Sequence, residues 1–382
     1  MNARQRLIIL LFAFFCGCIQ PYPLTSIQAK KILAVDGMIT TELKQHQVTV
    51  STSTNLDTAE FVGMSGATVT IHDGATVIPL TETQAGVYLT PAMQGIAGHT
   101  YQLFITTGTG RQIQSDEVTL KASPPIKNVY ATYSRYVAAL GTGGFQVFLD
   151  TGDSTSQTTY YRWEYAETWL IQTPFESNYE WLGGNDVRFR STPVSVCYAS
   201  DSTGNTLIQS TLGLSEDQVS KLVVTNIPFD SRKLQVKYSV LVRQFAMSEN
   251  AYRYWKVLLE TNQTQGSLSD HQPGNVQGNL SSSSDNEIVL GYFDASGVVE
   301  RRIYIEPLKF RSSGFVPTDF FADCKGLEYT VVPIEQIGAF YADPAHKNFE
   351  ILASSGGGLY LLPTQCCDCT PIGTNVKPAF WQ

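Results

Sequence analysis

Apolar and polar residues alternate along most of this chain with a period of two, the pattern of strands with one face in a core and one in water. In Ala67-Thr68-Val69-Thr70-Ile71-His72, Val69 and Ile71 share a face, and Asp73-Gly74 supplies a turn. In Tyr101-Gln102-Leu103-Phe104-Ile105 the shared face is Tyr101, Leu103 and Ile105. Comparable runs occupy 32–35 with 38–40, 47–51, 75–80, 86–90 and 112–120. About seven strands in about 90 residues predict an immunoglobulin-like β-sandwich over 31–122. Ala122-Ser123-Pro124-Pro125-Ile126 ends it, because two prolines stop the last strand and stiffen a junction.

A larger β-rich, sandwich-like domain is expected over 126–382. Gly144-Phe145-Gln146-Val147-Phe148-Leu149-Asp150 alternates, as does 234–242. Tyr160-Tyr161-Arg162-Trp163-Glu164-Tyr165 puts Tyr161, Trp163 and Tyr165 on one face, a strand suited to a sandwich core. Ile288-Val289-Leu290-Gly291-Tyr292-Phe293 reads as a buried strand with Arg301-Arg302-Ile303-Tyr304-Ile305 as its neighbour. The spacing changes to three and four at Ala251, Trp255, Leu258 and Leu259, which predicts one amphipathic helix over 248–261 capped by Ser248. Residues 214–219 read as a short helical turn with Ser215 as N-cap. The stretch 174–190 is rich in glycine and aromatics, Phe175, Tyr179, Trp181 and Phe189 among them. It has two readings: a loop that presents aromatics to a ligand, or one that caps a core. The fold class is all-β in the main.

The longest apolar run lies at the start. Arg4 and Arg6 precede 7–15, which is rich in Leu, Ile and Phe, and then come Cys16, Gly17 and Cys18. A run this short does not span a bilayer, which takes about 20 residues; it reads as a secretory leader, 1–17. Gly17 is the small residue wanted before a lipoprotein cut, whereas Cys16 follows bulky Phe15, so Cys18 is the expected lipidation site. Residues 18–30 form a tether that extends at most about 40 Å.

Composition supports export. Charged residues are only 16% of 382, and the net charge of −8 becomes −10 once Arg4 and Arg6 leave with the leader. An acidic surface argues against nucleic acid and against charge-driven binding to anionic lipid. With Cys18 lipidated, Cys197, Cys324, Cys366, Cys367 and Cys369 remain, an odd number that leaves one thiol over. Cys366-Cys367-Asp368-Cys369 together with His346 has zinc-binding residue types, yet an exported chain favours oxidation. Disulfides are therefore expected in place of metal: Cys197 and Cys324 each paired with Cys366 or Cys369, and Cys367 free. That pairing would pin the tail to the second domain.

Other chemistry is thin. His72 and His99 are isolated and read as surface or turn residues. Asp150 and Asp153 read as turn chemistry, since a calcium site needs more closely spaced oxygens. Ser269-Asp270-His271 holds triad residue types, but adjacent residues cannot orient one another as a triad does. Gly356-Gly357-Gly358 lacks the lysine and helix of a phosphate loop. No catalytic residue, metal or cofactor is assigned. Trp169, Trp181, Tyr179 and Phe175 are the candidates for ligand or partner contact.

Several stretches resemble one family: Cys18-Ile19-Gln20-Pro21-Tyr22, Val35-Asp36-Gly37-Met38-Ile39, Gly66 to Ile71, Asp230 to Leu234 and Tyr252 to Trp255. The most specific are Pro273-Gly274-Asn275-Val276-Gln277-Gly278-Asn279, Gly291-Tyr292-Phe293 and the closing Cys366 to Trp381. On these residues the chain resembles the Bacteroidota lipoproteins of domain-of-unknown-function family 4249. The resemblance implies an outer-membrane lipoprotein, facing the cell surface, that partners a TonB-dependent β-barrel receptor; it implies no enzymatic activity. The chain departs from surface-exported lipoproteins in one respect: Ile19 to Tyr22 lacks the acidic residues that often follow the lipidated cysteine. The expected function is non-enzymatic ligand capture beside such a receptor. A surface hydrolase acting on glycan or peptide, and a structural or adhesive lipoprotein, are the alternatives.

Overall fold

The alternating runs form strands at the expected places, and three packed units result. The computed structural model describes residues 32–53, 61–155, 157–202, 206–263, 276, 278–283 and 289–381. The leader, Cys18, the tether and Ser269-Asp270-His271 lie outside the described residues.

The first unit contains β1 (Leu33–Thr40), β2 (Gln47–Ser53), β3 (Phe61–Gly63), β4 (Thr68–Asp73), β5 (Thr76–Pro79), β6 (Thr81–Gln84), β7 (Val87–Leu89), β8 (Thr100–Thr106), β9 (Gln112–Ser115) and β10 (Val118–Thr119). The second begins with β11 (Asn128–Val137), β12 (Thr142–Gly152) and β13 (Tyr160–Gln172). Next come the hairpin β14 (Tyr179–Gly183) and β15 (Asp186–Phe189), then β16 (Val196–Asp201), β17 (Leu207–Ser210), β18 (Gln218–Pro228) and β19 (Lys237–Ala246). Helix α1 (Glu249–Gln263) leads to β20 (Leu280–Ser282), β21 (Val289–Ser296) and β22 (Val298–Ile305). The chain ends with β23 (Thr330–Pro333), α2 (Ile337–Ala342), β24 (Phe349–Ser355), β25 (Gly358–Pro363) and short 3₁₀ turns.

In the first sandwich one sheet runs β21-β1-β2-β7-β6 and the other β20-β9-β8-β4-β5. Their inner faces meet at Val35, Ile39, Val50, Ile71, Tyr101 and Leu103, all buried. The sandwich is not self-contained. β21 pairs parallel with β1 from Leu33↔Val289 to Thr40↔Ser296, and β20 pairs with β9. Val289, Phe293 and Ala295 belong to its core. The continuous division at 126 is thus corrected: 280–296 returns to the first unit. The strand expected over 288–293 forms, but β22 is not its neighbour; β22 pairs with β19 in the second unit. Period-two patterning fixes which face of a strand is buried and is silent on its partner.

The second sandwich packs β11-β12-β18 against β16-β13-β19-β22, with β17 also on β13. Its core holds Tyr161, Trp163 and Tyr165, the face expected of that strand. Trp163 Nε1 donates to Gln244 Oε1 at 2.9 Å. The helical turn expected over 214–219 does not form; 214–217 are bends and 218–219 already belong to β18. Asp217 is drawn inward instead, where its carboxylate accepts from Thr211 Oγ1 and from the Tyr161 hydroxyl. Asp153 serves its turn, accepting from the backbone N–H groups of Thr155, Gln157 and Thr158.

At the seam between the sandwiches, Arg162 is nearly buried between the rings of Phe245 and Trp255, with its guanidinium carbon 4.3 and 4.6 Å from their centroids. Trp255 comes from α1, where Ser248 Oγ accepts from the Ala251 N–H as the expected cap. Asp294 of β21 and Asp36 of β1 share this seam. Burial raises the pKa of both carboxyls, and the Arg162 charge opposes the rise. Glu42 on the first unit pairs with Arg243 on the second.

The third unit is one sheet, β15-β14-β24-β25-β23, with α2 against it. Two disulfides brace its attachment, Cys197–Cys369 and Cys324–Cys366, while Cys367 is free and buried. The pairing resolves the choice left open by the sequence. Past Cys369 the tail lies on the second sandwich. Tyr198 N donates to Thr374 O at 2.7 Å, Trp381 packs edge-on against Tyr198, and Arg302 stacks on Phe380.

Candidate ligand-binding cleft

The stretch 174–190 is mostly not a loop. Its alternation builds the β14–β15 hairpin, which extends the third sheet through Tyr179↔Ile351. Gly184 and Asn185 make the tight turn, with Gly184 at positive φ, and Gly183, also at positive φ, closes β14 opposite Asp186 after a shift in register. The turn brings Trp181 Nε1 to within 2.8 Å of the Gly184 carbonyl, to which it donates. One face of the indole stacks on Tyr341 of α2, with centroids 4.6 Å apart and planes 25° from parallel. Trp181 is nevertheless 39% exposed.

Beside this stack opens a cleft of about 740 Å³ between the hairpin, the end of α2 and the start of β24. Its size suits a small ligand. Tyr179, Trp181, Tyr341 and Phe349 give aromatic walls, and Glu180, Arg190, Lys347 and Glu350 give the polar lining. Arg190 Nη2 donates to Glu350 Oε2 at 2.6 Å and Arg190 Nε to Ser177 Oγ at 3.1 Å; Ser177 Oγ donates to the same carboxylate at 3.0 Å. Burial pushes the Glu350 carboxyl above the usual range, while Arg190 and Ser177 pull it back. Glu180 accepts from Arg188 Nη2 at 2.6 Å, which holds its carboxyl below the usual range. The four rim charges are two carboxylates and two cations, so the lining is close to neutral.

Two of the four aromatics singled out in the sequence meet here, Tyr179 and Trp181. The other two sit elsewhere. Trp169 lies within β13, half-buried between the second core and the Cys197–Cys369 cluster, under the Lys233 ammonium. Phe175 packs against the Cys324–Cys366 cluster, and its N–H donates to Cys366 O. Both are therefore bracing residues. Tyr341, Phe349, Arg190 and Glu350 were not singled out. The alternation of Phe349 and Ile351 in β24 was the available signal, and nothing local ties Glu350 to Arg190 across 160 positions. Of the tail's zinc residue types, Cys366 and Cys369 are held in disulfides and Cys367 is buried as a free thiol, while His346 lies flat on Phe340 with centroids 4.1 Å apart.

Further cavities lie elsewhere among the described residues. One of about 560 Å³ beside Cys324 is walled by Phe320 and Phe321 under Arg232; another of about 770 Å³ follows the junction at Pro124 and Pro125.

Residues 19–302 match the family described as a domain of unknown function, DUF4249, and the chain belongs to that family. No curated protein matches it in sequence. Among solved structures it is distantly similar to the Bacteroides ovatus mixed-linkage glucan utilization locus protein SGBP-B, in complex with a mixed-linkage heptasaccharide. That similarity has 9% identity and a TM-score of 0.17, and covers 50% of this chain and 54% of that one, about half of each. A likeness at that level carries no argument about fold or function. The two disulfides are those of an extracytoplasmic chain.

Proposed function

From membership of that family, we propose that the protein is a non-enzymatic binding lipoprotein of the outer membrane, anchored through Cys18 at the cell surface. It captures a ligand for a TonB-dependent β-barrel receptor. The observation that carries the binding role is the aromatic cleft beside Trp181, presented on a sheet that two disulfides brace. Recognition sites are usually concave, apolar-walled and held by a rigid scaffold. The cleft carboxylates Glu180 and Glu350 are each tied to an arginine, Arg188 and Arg190. Carboxylates tied in this way are fixed hydrogen-bond acceptors, which suits the recognition of a polar ligand. The partner rests on the resemblance to lipoproteins encoded beside such receptors. The leader and the Gly17-Cys18 pair support the anchor.

The test is affinity purification of the tagged chain from its own membranes in mild detergent, followed by mass spectrometry. A stoichiometric TonB-dependent barrel is expected. Recovery of the lipoprotein alone, under conditions that keep other barrel complexes intact, would sink the accessory role.

A further inference from the structure

We propose that the cleft beside Trp181 is a saccharide site that takes uncharged sugar rings; this deepens the binding role proposed above and rests on it. The first argument is the indole. Its nitrogen is already committed to the Gly184 carbonyl and one face to Tyr341, so the ring is fixed in place before any ligand arrives. A fixed ring loses little entropy on binding. The exposed surface it keeps is aromatic, and the negative face of a π-system attracts the C–H groups of a pyranose ring.

The second argument is the polar lining. A sugar hydroxyl both donates and accepts, so its complement is a donor and an acceptor side by side. Arg190, a donor only, and Glu350, an acceptor when ionised, stand 2.6 Å apart in the lining. Ser177 locks both in position. Such a pair has hydrogen-bonding capacity left over after satisfying itself: a guanidinium carries five N–H donors and a carboxylate about four lone-pair sites.

The third argument is charge. A site for an anion or a cation leaves one sign of charge facing the ligand. Here both carboxylates are held by arginines, Glu180 by Arg188 and Glu350 by Arg190, and Lys347 adds one exposed cation to the lining. One lysine is not the cluster of cations that a nucleotide or a sulfated sugar calls for, and a cationic ligand would meet carboxylates already held by arginines. A neutral ring with an apolar face and a hydroxyl edge matches both the wall and the lining.

The experiment uses the full mature chain, made in an oxidising compartment. It is presented with neutral hexasaccharides of glucose, mannose and xylose in both anomeric linkages, alongside sulfated and sialylated oligosaccharides and a tryptic peptide pool. The expected result is binding of at least one neutral hexasaccharide. Trp181→Ala should weaken it at least tenfold, and Trp181→Phe should stay within about threefold of the parent. Trp181→Leu keeps apolar bulk against Tyr341 without an aromatic face, so it reports on the ring even if the alanine variant loosens the hairpin; it too should lose at least tenfold. Binding confined to the charged sugars or the peptides, affinity unchanged in the alanine and leucine variants, or no neutral hexasaccharide bound at all overturns the proposal. A chain that copurifies with a barrel but binds no neutral sugar removes the saccharide reading alone. A chain that binds sugar without a barrel removes only the accessory role.

Discussion

The carbonyl oxygen of Val35 stands where a side chain on Gly291 would begin: a Cβ built on Gly291 lies 1.8 Å from that oxygen. The same glycine has φ +104, in the region that L side chains rarely adopt. On its other side, a Cβ on Gly278 would meet the Gly291 carbonyl at 1.6 Å. The parallel pairing of β1 with β21 therefore depends on bare backbone. Gly291→Ala should cost at least about 3 kcal/mol, the sum of backbone strain and a clash with main chain that cannot move aside. Urea unfolding is the measurement. A loss under about 1 kcal/mol would mean that the two strands separate without consequence.

The disulfides should differ in weight. Cys197–Cys369 closes a separation of 172 residues and Cys324–Cys366 one of 42. Loop-closure entropy assigns them about 5 and about 4 kcal/mol respectively. The double variant Cys197→Ala with Cys369→Ala should melt below the one lacking Cys324 and Cys366. Scanning calorimetry under oxidising conditions decides the order.

Cys367 should be inert in the folded protein. It is buried, and burial together with Glu350 and Asp368 pushes its thiol up to about 12. The thiolate is the reactive form. An aromatic disulfide reagent at pH 8 should find no thiol until denaturant is added, then titrate one per chain. Rapid reaction without denaturant would contradict the buried placement.

Asp294 should make the fold less stable as pH rises. Burial raises its folded pKa above the unfolded value, with Arg162, Ser296 and the Ala295 N–H opposing. A carboxyl raised in the fold contributes stability that is complete below its unfolded pKa of about 3.9 and is lost as pH rises through the folded value. Asp294→Asn keeps an acceptor for the Ala295 N–H and removes the charge. The variant should unfold at higher urea than the parent at pH 8, and the gap should narrow towards pH 4. A gap that does not change with pH would show that Arg162 cancels the burial penalty.

Tryptophans 163 and 181 should separate scaffold from site. Trp163 is fully buried and bonded to Gln244, so Trp163→Ala should cost about 3–5 kcal/mol. Trp181 stands on an exposed hairpin, and Trp181→Ala should cost under about 1.5 kcal/mol while weakening ligand binding at least tenfold. Unfolding of the Trp181 variant would turn the hairpin into a cap for the core beneath it.

Strands and their buried faces were legible because each depends only on nearest neighbours in sequence: Val69 with Ile71, Tyr161 with Trp163. The cysteine set was legible from count and compartment, and only the choice between Cys366 and Cys369 needed the fold. Two kinds of feature were not. The partner of β21 is set by space in the first sandwich, beyond any local pattern. The bends at 214–217, where Asp217 bonds to Thr211 and Tyr161, depend on partners outside that segment. The cleft was half legible. Aromatic clustering pointed to Tyr179 and Trp181, whereas Arg190 and Glu350 come together only when β14 joins β24.

The return of β21 also sets an order of assembly. Until residue 296 has left the ribosome, the first sandwich lacks Val289, Phe293 and Ala295 from its core and leaves one edge of β1 unpaired. An unpaired edge beside exposed apolar residues invites pairing with another chain. The unit translated first is thus among the last to close.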